Sequence, residues 1–392
     1  MHIMVLGGSG AMGSAAVRDL VRSKISKVTV ADYNIKAAEG LVAELLGEFG
    51  KVDVSAQFVD ANDHASLIRI MKTADVVASA IGPFYKFGSK VIKAAIEAGV
   101  NLVDICDDAD ATLEAFKLDK EAEKAGVSIV IGLGMSPGLT NILAKYGSNK
   151  MDAVEKIHTA WVVGALDPGG PGDMEHGFHM LTGNVPTFKD GQWIDVPAGS
   201  EKETVGFLPP IGKAEVYHVG HPEPVTLPRF IKGVKTVTNK GGLFPPLINQ
   251  LFSFLVDFGF TSTQPIKIKG VSIIPREFSA ALLDQQRENP ELVAPHVLEK
   301  VLSLESSLLS ATRVEVKGRK GENVVRYVYR SVGQVAQCTG PPLSIGAQML
   351  AGGEIKLKGV SAPEACIDPK TLLSELTKRE IEIYENQRRL VL

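Results

Sequence analysis

Short apolar runs alternate with segments of helical periodicity over the first 134 residues of the chain. The runs are rich in β-branched residues and end in glycines or acids, whereas the intervening segments place apolar side chains every three or four positions. This alternation predicts strand and helix units joined by right-handed crossovers, which build a parallel sheet. The predicted strands are residues 1–8, 27–32, 52–63, 75–85, 101–108 and 127–134.

A glycine-rich turn joins the first predicted strand to a helix. Gly8, Gly10 and Gly13 form a GxGxxG pattern, in which the glycines permit a tight turn, a close approach to a pyrophosphate and close helix packing. The second predicted strand ends in Asp32, where a carboxylate binds the adenine ribose hydroxyls in such folds. The pattern predicts a dinucleotide site, and the alternative for Asp32 is a strand-end turn residue or helix cap.

Asp32 also bears on the choice between NAD and NADP. A carboxylate at this position repels the additional phosphate of NADP, no arginine follows closely, and Lys36 is the nearby cation. We therefore predict NAD, with NADP as the alternative. Because parallel strands present their carboxyl ends at one edge of the sheet, we expect residues at the ends of the other strands to contact the cofactor as well. The cofactor-binding candidates are Gly8, Ser9, Gly10, Ala11, Met12, Gly13, Asp32, Asp60, Ala61, Ile81, Gly82, Pro83 and Gly134.

Residues 132–141, GLGMSPGLTN, leave the last predicted strand through three glycines, a serine and a proline. Pro137 disfavours a helical conformation at Ser136, and the glycines let the backbone lie close to a nicotinamide or a substrate. Thr140 and Asn141 either cap the following helix or direct polar groups into the cleft. The alternative is a purely structural hinge.

The order of VLGGSGAMG, VVASAIGPFY, VNLVDICDD and IGLGMSPGLTNILAKYG resembles the saccharopine dehydrogenase-like family, near its saccharopine reductases and lysine 6-dehydrogenases. The later stretches EPVTLPRF and CTGPPLSIGAQMLAGG agree. Saccharopine reductases usually carry an acid where this chain has Ser136. The resemblance implies an NAD(P)-dependent oxidoreductase acting on a CH–NH or CH–NH2 group of an amino acid or related amine, with lysine, saccharopine and carboxynorspermidine as precedents.

The resemblance also implies an α/β fold class, with a Rossmann-type doubly wound parallel sheet and a second α+β domain on a mostly antiparallel sheet. We place the dinucleotide-binding domain at residues 1–134, the substrate and dimerisation domain at 135–335, and a C-terminal segment that returns to the first domain at 336–392. Alternating or β-branched patterns predict second-domain strands at residues 151–163, 214–227, 265–271 and 312–331.

Four residues are candidates for proton transfer. Cys106 and Asp107 follow a strand that ends at the ligand edge, and the segment GGPGDMEHGFHML places His176 and His179 beside Glu175. A histidine there is expected to titrate near neutrality. The alternatives are an inert core cysteine and a helix-capping acid.

Two arginines are candidates for binding a substrate carboxylate, because the planar guanidinium binds two oxygens at once. Arg229 and Arg276 each fall in a segment that matches the family. The alternative for either is a surface or structural ion pair.

Charge and cysteine content narrow the class of protein. A net charge of -3 and a pI near 6.3 argue against a nucleic-acid binder. Three scattered cysteines fit a reducing compartment, and the histidine pair lacks a third ligand of suitable spacing, so we predict no metal. The apolar N-terminus lacks the basic start of a signal peptide, and we predict a cytoplasmic protein.

Residues 243–260 form the most apolar stretch of the chain. Prolines and polar residues interrupt it, which argues against a membrane span. We predict a buried or dimer-contacting helix, with peripheral lipid contact as the alternative, and we expect a homodimer. The alternatives to an enzyme are a non-catalytic dinucleotide sensor and a membrane-associated family member.

Overall fold

The first part of the fold is a seven-stranded parallel sheet, and the computed structural model describes residues 1–167, 169–289 and 305–392. The central strands are apolar and buried because helices cover both faces of the sheet. Its first six strands are β1 (His2–Leu6), β2 (Lys27–Asp32), β3 (Val54–Phe58), β4 (Val76–Ser79), β5 (Asn101–Asp104) and β6 (Ser128–Val130). Its helices are α1 (Ala11–Arg22), α2 (Ile35–Phe49), α3 (His64–Met71), α4 (Phe84–Ala98), α5 (Ala109–Lys117) and α6 (Asp119–Lys124).

The strand order places β1 between β2 and β4, with β3 at one edge and β5 and β6 beyond β4. The chain therefore reverses its direction of winding beside β1, and ligands bind at such a point in doubly wound sheets. The predicted Rossmann-type sheet is confirmed. The strand predicted at 75–85 is shorter than expected, because β4 ends at Ser79 and Pro83 precedes the start of α4.

The second part is a mixed sheet of ten strands, antiparallel except where β12 runs parallel to β7. Eight of its strands are β7 (Ala153–Gly164), β8 (Asn184–Lys189), β9 (Gln192–Pro197), β10 (Glu203–Gly206), β11 (Lys213–His218), β12 (Thr236–Phe244), β15 (Ser310–Lys320) and β16 (Asn323–Gly333). A separate small hairpin consists of β13 (Ile266–Ile268) and β14 (Val271–Ile273). The helices of this second part are α7 (Leu139–Ser148), α8 (Pro171–Met180), α9 (Glu223–Phe230), α10 (Pro246–Asp257) and α11 (Pro275–Glu288), with a 3₁₀ turn at Glu305–Leu308.

The C-terminal segment adds to both sheets. It forms α12 (Val335–Ala351), β17 (Gly359–Ser361), α13 (Pro363–Cys366), α14 (Pro369–Lys378), β18 (Ile383–Glu385) and β19 (Arg388–Arg389). Strand β17 pairs with β6 in the parallel sheet, and β18 pairs with β16 in the mixed sheet. Helix α12 packs so closely on α1 that a Cβ at Gly340 would overlap Ala15. One core thus continues across the two sheets.

The strand predicted at residues 214–227 is wrong beyond His218, since the chain turns there and then forms α9. Pro222 and Pro224 have the backbone angle of a first helical turn and offer no amide to a strand partner. The difference matters because α9 begins with Glu223, whose side chain is fully buried.

The apolar stretch at 243–260 ends strand β12 and forms helix α10. One face of α10 packs inward through Phe252, whereas Leu247, Leu251, Phe254 and Phe258 are exposed. The helix is therefore only half buried within this chain. Among the described residues, the helices are all too short or too polar to cross a bilayer.

Candidate active site

A cleft of about 930 Å³ lies between the carboxyl edge of the parallel sheet and the second sheet. Its lining begins at the glycine loop, passes the ends of β2 to β5, and ends on β7, α8 and α10. The geometry thus brings the cofactor-binding edge and the second domain together around one cavity.

The glycine loop has the shape that a pyrophosphate requires. Gly7 takes a left-handed backbone conformation with φ +68, and a Cβ at Gly13 would overlap the Gly7 carbonyl. Helix α1 begins directly after Gly10, so its free amides face the cleft. The tight turn lies at Gly7 and not at Gly8, the first glycine of the motif, because Gly7 and not Gly8 takes the left-handed conformation. These residues fit a bound dinucleotide.

Asp32 is fixed by two backbone amides. Ser9 N–H donates to one carboxylate oxygen at 3.0 Å and Asn34 N–H to the other at 2.9 Å. The side chain also lines the cleft. It therefore has the turn role foreseen as the alternative, together with a position beside the predicted ribose.

Most cofactor-binding candidates lie together in the cleft. Those that line it are Gly10, Ala11, Met12, Gly13, Asp32, Asp60, Ala61, Ile81, Gly82, Pro83 and Gly134. Gly8 and Ser9 belong to the glycine loop but are not among the residues that line the cleft, since Gly8 packs against Val30 and the Ser9 amide bonds to Asp32. Sequence reasoning missed Gly7, Tyr33, Val59 and Asn62, although each adjoins a predicted residue at a strand end.

His176 on α8 bridges two carboxylates that follow β5. Its Nδ1 lies 2.7 Å from Asp108 Oδ1 and its Nε2 lies 3.4 Å from Asp107 Oδ2. Asp108 is fully buried and also accepts the Tyr85 N–H, whereas a third of the Asp107 side chain is exposed. Of the three residues, His176 and Asp107 line the cleft.

The charges in this triad support one another. Burial disfavours the imidazolium, but the two carboxylates outweigh it and raise the pKa of His176 to about 10. Burial raises the pKa of Asp107 to about 6 in spite of His176, while His176 overcomes the burial of Asp108 and lowers the pKa of that carboxyl. His176 is therefore charged at neutral pH, and the expectation that it titrates near pH 7 is wrong.

A second histidine, which the sequence did not single out, lines the cleft opposite this triad. His221 Nδ1 lies 2.8 Å from Glu223 Oε2, and the rings of His176 and His221 are 6.0 Å apart. Burial opposes ionisation of Glu223, but His221 and Ser136 lower its pKa. Because a carboxylate only accepts hydrogen bonds, the pair places the proton on Nδ1 and leaves Nε2 as the second ring nitrogen.

The GLGMSPGLTN segment holds this pair in place. Ser136 and Thr140 donate their hydroxyls to Glu223 Oε1 at 2.5 and 3.0 Å. Gly138, at φ +118, lies so close to Gly134 that a Cβ would overlap its backbone. The unusual glycines thus fold the segment tightly enough for its hydroxyls to reach α9, while Gly134 itself lines the cleft.

Asn141 extends the network to the C-terminal segment. It accepts the Gly138 N–H at 3.2 Å, as a cap of α7, and donates its amide to Thr226 and Glu364, both at 3.0 Å. Burial raises the pKa of Glu364 to about 7. Of the two roles that the sequence left open, Asn141 therefore has the capping role, and its amide joins the framework behind the cleft and does not point into the cleft.

Cys106 lies away from the cleft, although its neighbours Ile105 and Asp107 line it. The thiol is buried and contacts the Asp108 carbonyl and the Thr112 hydroxyl at 3.7 Å. Burial raises the pKa of this thiol well above its ordinary value. The structure gives Cys106 the environment of an inert core cysteine.

His179 and Arg276 meet on the far side of α8 from the cleft lining. The Arg276 guanidinium donates to His179 Nδ1 at 3.2 Å, and His179 Nε2 donates to Asp110 at 3.0 Å. Tyr85 stacks on His179 with ring centroids 4.1 Å apart. These contacts form a polar layer between α8 and its neighbours.

Arg229 lies apart from every other candidate. Its guanidinium stands 4.9 Å from the centre of the Phe116 ring and 5.4 Å from that of Trp193. Such a stack favours a cation without any carboxylate. The structure therefore brings Asp107, His176 and the cofactor candidates together, and it leaves Cys106, His179, Arg229 and Arg276 outside the lining of the cleft.

Within the part of the chain that the structure describes, two groups of acids and histidines are compact enough to hold a metal ion, Asp107 with Asp108 and His176, and Asp108 with Asp110 and His179. Spacing along the chain did not indicate these groups because their acids and histidines belong to separate segments. In the first group both ring nitrogens of His176 already face carboxylates, which is the arrangement of an ion-paired imidazolium.

Two family models match the chain, the saccharopine dehydrogenase NADP binding domain over residues 3–130 and the saccharopine dehydrogenase C-terminal domain over residues 134–381. The chain therefore belongs to the saccharopine dehydrogenase family. This membership agrees with the resemblance found in the sequence, and it makes the protein an oxidoreductase-family member whose first domain binds a nicotinamide dinucleotide.

Individual relatives are more distant. Carboxynorspermidine synthase of Vibrio alginolyticus is 23% identical over 312 residues, which cover 74% of this chain and 73% of that protein. The lipid droplet localized protein of Caenorhabditis elegans is 34% identical over 140 residues, which cover 34% of this chain and 32% of that protein. Saccharopine dehydrogenase (L-Glu forming) from Saccharomyces cerevisiae, at 18% identity and a TM-score of 0.67 with both chains covered completely, shares the fold.

Proposed function

We propose that this protein is an NAD(P)-dependent oxidoreductase that acts on a CH–NH or CH–NH2 group of a small amine or amino acid. The observation that carries the proposal is the His221–Glu223 pair, in which His221 lines the cleft together with Asp107 and most of the cofactor candidates, and the buried Glu223 holds His221 from behind. Oxidation of an amine carbon requires a neutral nitrogen lone pair and therefore a nearby base. The pair supplies such a base beside the dinucleotide edge.

Each residue has a defined task in this reaction. The bound nicotinamide supplies the hydride acceptor. Asp107 binds the substrate ammonium through its exposed carboxylate, and His221 Nε2 takes a proton from the nitrogen. Glu223 fixes the tautomer of His221 and stabilises the imidazolium that forms. His176 is charged at neutral pH and acts as a positioning residue that orients Asp107 and neutralises Asp108.

We also propose that NAD binds better than NADP. Asp32 and Asp60 line the cofactor half, and no lysine or arginine is found among the described residues that line the cleft. An additional phosphate would meet negative charge without a cation to pair with. The matching family model is described as NADP-binding, so the two dinucleotides must be compared directly.

A homodimer and a cytoplasmic location remain predictions. The exposed face of α10, with Leu247, Phe254 and Phe258, is the surface we assign to a dimer contact. Light scattering of the native protein and of Phe254→Glu tests this assignment, and cell fractionation tests the location.

The function is tested with a panel of amines, amino acids and oxoacids, each with NAD and NADP, followed by absorbance of the reduced nicotinamide. We expect dinucleotide reduction by at least one amine, insensitivity to a chelator, and loss of turnover in His221→Asn. A non-catalytic dinucleotide sensor would instead bind NAD with no turnover of any compound. That result would overturn the proposal.

A further inference from the structure

The second-domain elements contribute a group of apolar side chains to the cleft, together with the polar Asp173 and Gln286. Strands β7 and β12 and helices α8, α10 and α11 all contribute to this group, which we call the apolar wall. Its members are Trp161, Val163, Met174, Met180, Leu243, Ile248, Leu251, Phe252 and Leu283. Burial of a hydrocarbon chain against these side chains is favourable, whereas burial of a polar chain is not.

The same cleft contains no cation suited to a substrate carboxylate. Among its described lining residues none is a lysine or an arginine, and the His176 imidazolium has carboxylates on both ring nitrogens. Arg229 and Arg276, the expected carboxylate anchors, are engaged elsewhere. A substrate carboxylate would lose its hydration without gaining a partner, which is strongly unfavourable.

The polar end of the cleft favours a cation instead. Asp107, Asp108 and Glu223 are three carboxylates around two histidines, His176 and His221, so the carboxylates outnumber the groups that can carry positive charge. An ammonium beside Asp107 would therefore enter a region of net negative charge. The cleft thus combines one acidic end with one apolar end.

The apolar wall reaches the protein surface along α10. Leu251 lines the cleft and is at the same time 42% exposed. A hydrocarbon chain longer than the wall therefore has an apolar path to the outside. This opening places no fixed limit on chain length.

Resting on the proposed function, we propose that the substrate is an amine with an apolar hydrocarbon chain and without a carboxylate next to the reacting nitrogen. The ammonium lies at Asp107 and the chain lies along the wall from Trp161 to Leu251. In the reaction the substrate carbon loses a hydride to the nicotinamide and the nitrogen loses a proton to His221, which leaves an iminium that water hydrolyses to an aldehyde and ammonium.

Calorimetric binding tests the ligand class independently of turnover. The probes are butylamine, heptylamine and 2-aminooctanoate, the last of which is heptylamine with an added carboxylate. We expect affinity to rise about fourfold for each methylene buried, and 2-aminooctanoate to bind at least about tenfold more weakly than heptylamine. Equal affinity for butylamine and heptylamine would overturn the proposal, and so would equal affinity for heptylamine and 2-aminooctanoate.

A matched pair of variants locates the binding surface. Leu247 and Leu251 lie on α10 and are each 42% exposed, but only Leu251 lines the cleft. Leu251→Gln should weaken heptylamine binding about tenfold, and Leu247→Gln should leave it unchanged. Equal effects of the two substitutions would show that the chain lies elsewhere.

Turnover separates this inference from the proposed function. If heptylamine binds more tightly than butylamine but no amine reduces the dinucleotide, the proposed oxidoreductase activity is contradicted and the proposed class of ligand is supported. Oxidation of amino acids alone, with no preference for apolar amines, would support the oxidoreductase and overturn the ligand class.

Discussion

The two halves of the cleft are built in different ways. The dinucleotide half consists of backbone and short side chains at the ends of adjacent parallel strands, from the glycine loop to Pro83. The amine half consists of ionisable side chains that come from distant segments, including Asp107, His176 and His221. Backbone sites follow from local sequence patterns, whereas side-chain sites depend on how the whole chain packs.

The difference also determines how each half fails. A substitution by any residue other than proline leaves the backbone N–H groups of the glycine loop in place. The dinucleotide half is therefore disrupted mainly when a new side chain fills the space of the ligand. The amine half holds charges whose stability depends on their partners, so deleting one group leaves another unpaired and buried. Substitutions in the two halves should therefore have distinct signatures in binding, turnover and folding stability.

The largest effect is expected from filling the dinucleotide half. A Cβ added at Gly10 meets only the Gly7 carbonyl, at 3.4 Å, so Gly10→Val should fold while its side chain occupies the pyrophosphate space. We expect NAD to bind at least about 100-fold more weakly, since several phosphate contacts are lost together. Calorimetry measures the loss, and Gly40→Val, at an open position of α2, is the control. Unchanged NAD affinity in Gly10→Val would contradict the Rossmann-type site.

The next effect concerns chemistry in the amine half. His221→Asn should lower kcat/KM between about 100-fold and 10,000-fold, the usual contribution of a general base, without altering NAD affinity. The matched control is His218→Asn, because His218 also pairs with a glutamate, Glu201, at 3.0 Å but lies outside the cleft lining. Similar losses in both variants would assign His221 a structural role only.

Folding stability should report the ion-paired triad. The pKa of His176 rises from 6.5 to about 10 on folding, so its stabilisation is complete below pH 6.5 and is lost as pH rises through about 10. At pH 6, His176→Asn should lower the free energy of unfolding by about 3 kcal/mol, and the deficit should shrink towards pH 10.

Urea unfolding at several pH values measures this deficit. The control is His64→Asn, which removes an exposed pair with Glu97 and should cost less than about 1 kcal/mol. A deficit that does not change with pH would mean that His176 is uncharged in the folded protein.

The smallest effect is on cofactor choice. Asp32→Asn keeps an acceptor for the Ser9 or Asn34 amide but removes the charge that faces the ribose. The ratio of NAD to NADP affinity should fall about tenfold. Asp63→Asn, which alters only the cap of α3, should leave the ratio unchanged. A native preference for NADP would show that Asp32 does not select the dinucleotide.

The sequence by itself determined the first half of this molecule. Periodicity predicted the parallel sheet, and the spacing of Gly10, Gly13 and Asp32 placed the dinucleotide edge, because each of these features depends on residues close together in the chain. The resemblance added the second domain and the family. The GLGMSPGLTN segment was also recognised as important, although its contact with Glu223 was not.

Which side chains form the amine half of the cleft could be seen only in the tertiary structure. His221 lies in a segment whose pattern predicted a strand, and although its partner Glu223 is only two residues away, nothing local indicated that His221 would line the cleft. Cys106 and Asp107 are neighbours in sequence, but successive side chains after a strand face opposite ways, so one is buried and the other lines the cavity. The pKa of His176 likewise depends on two acids that precede it by about 70 residues. Such charges acquire their properties from the partners that folding brings within hydrogen-bonding distance.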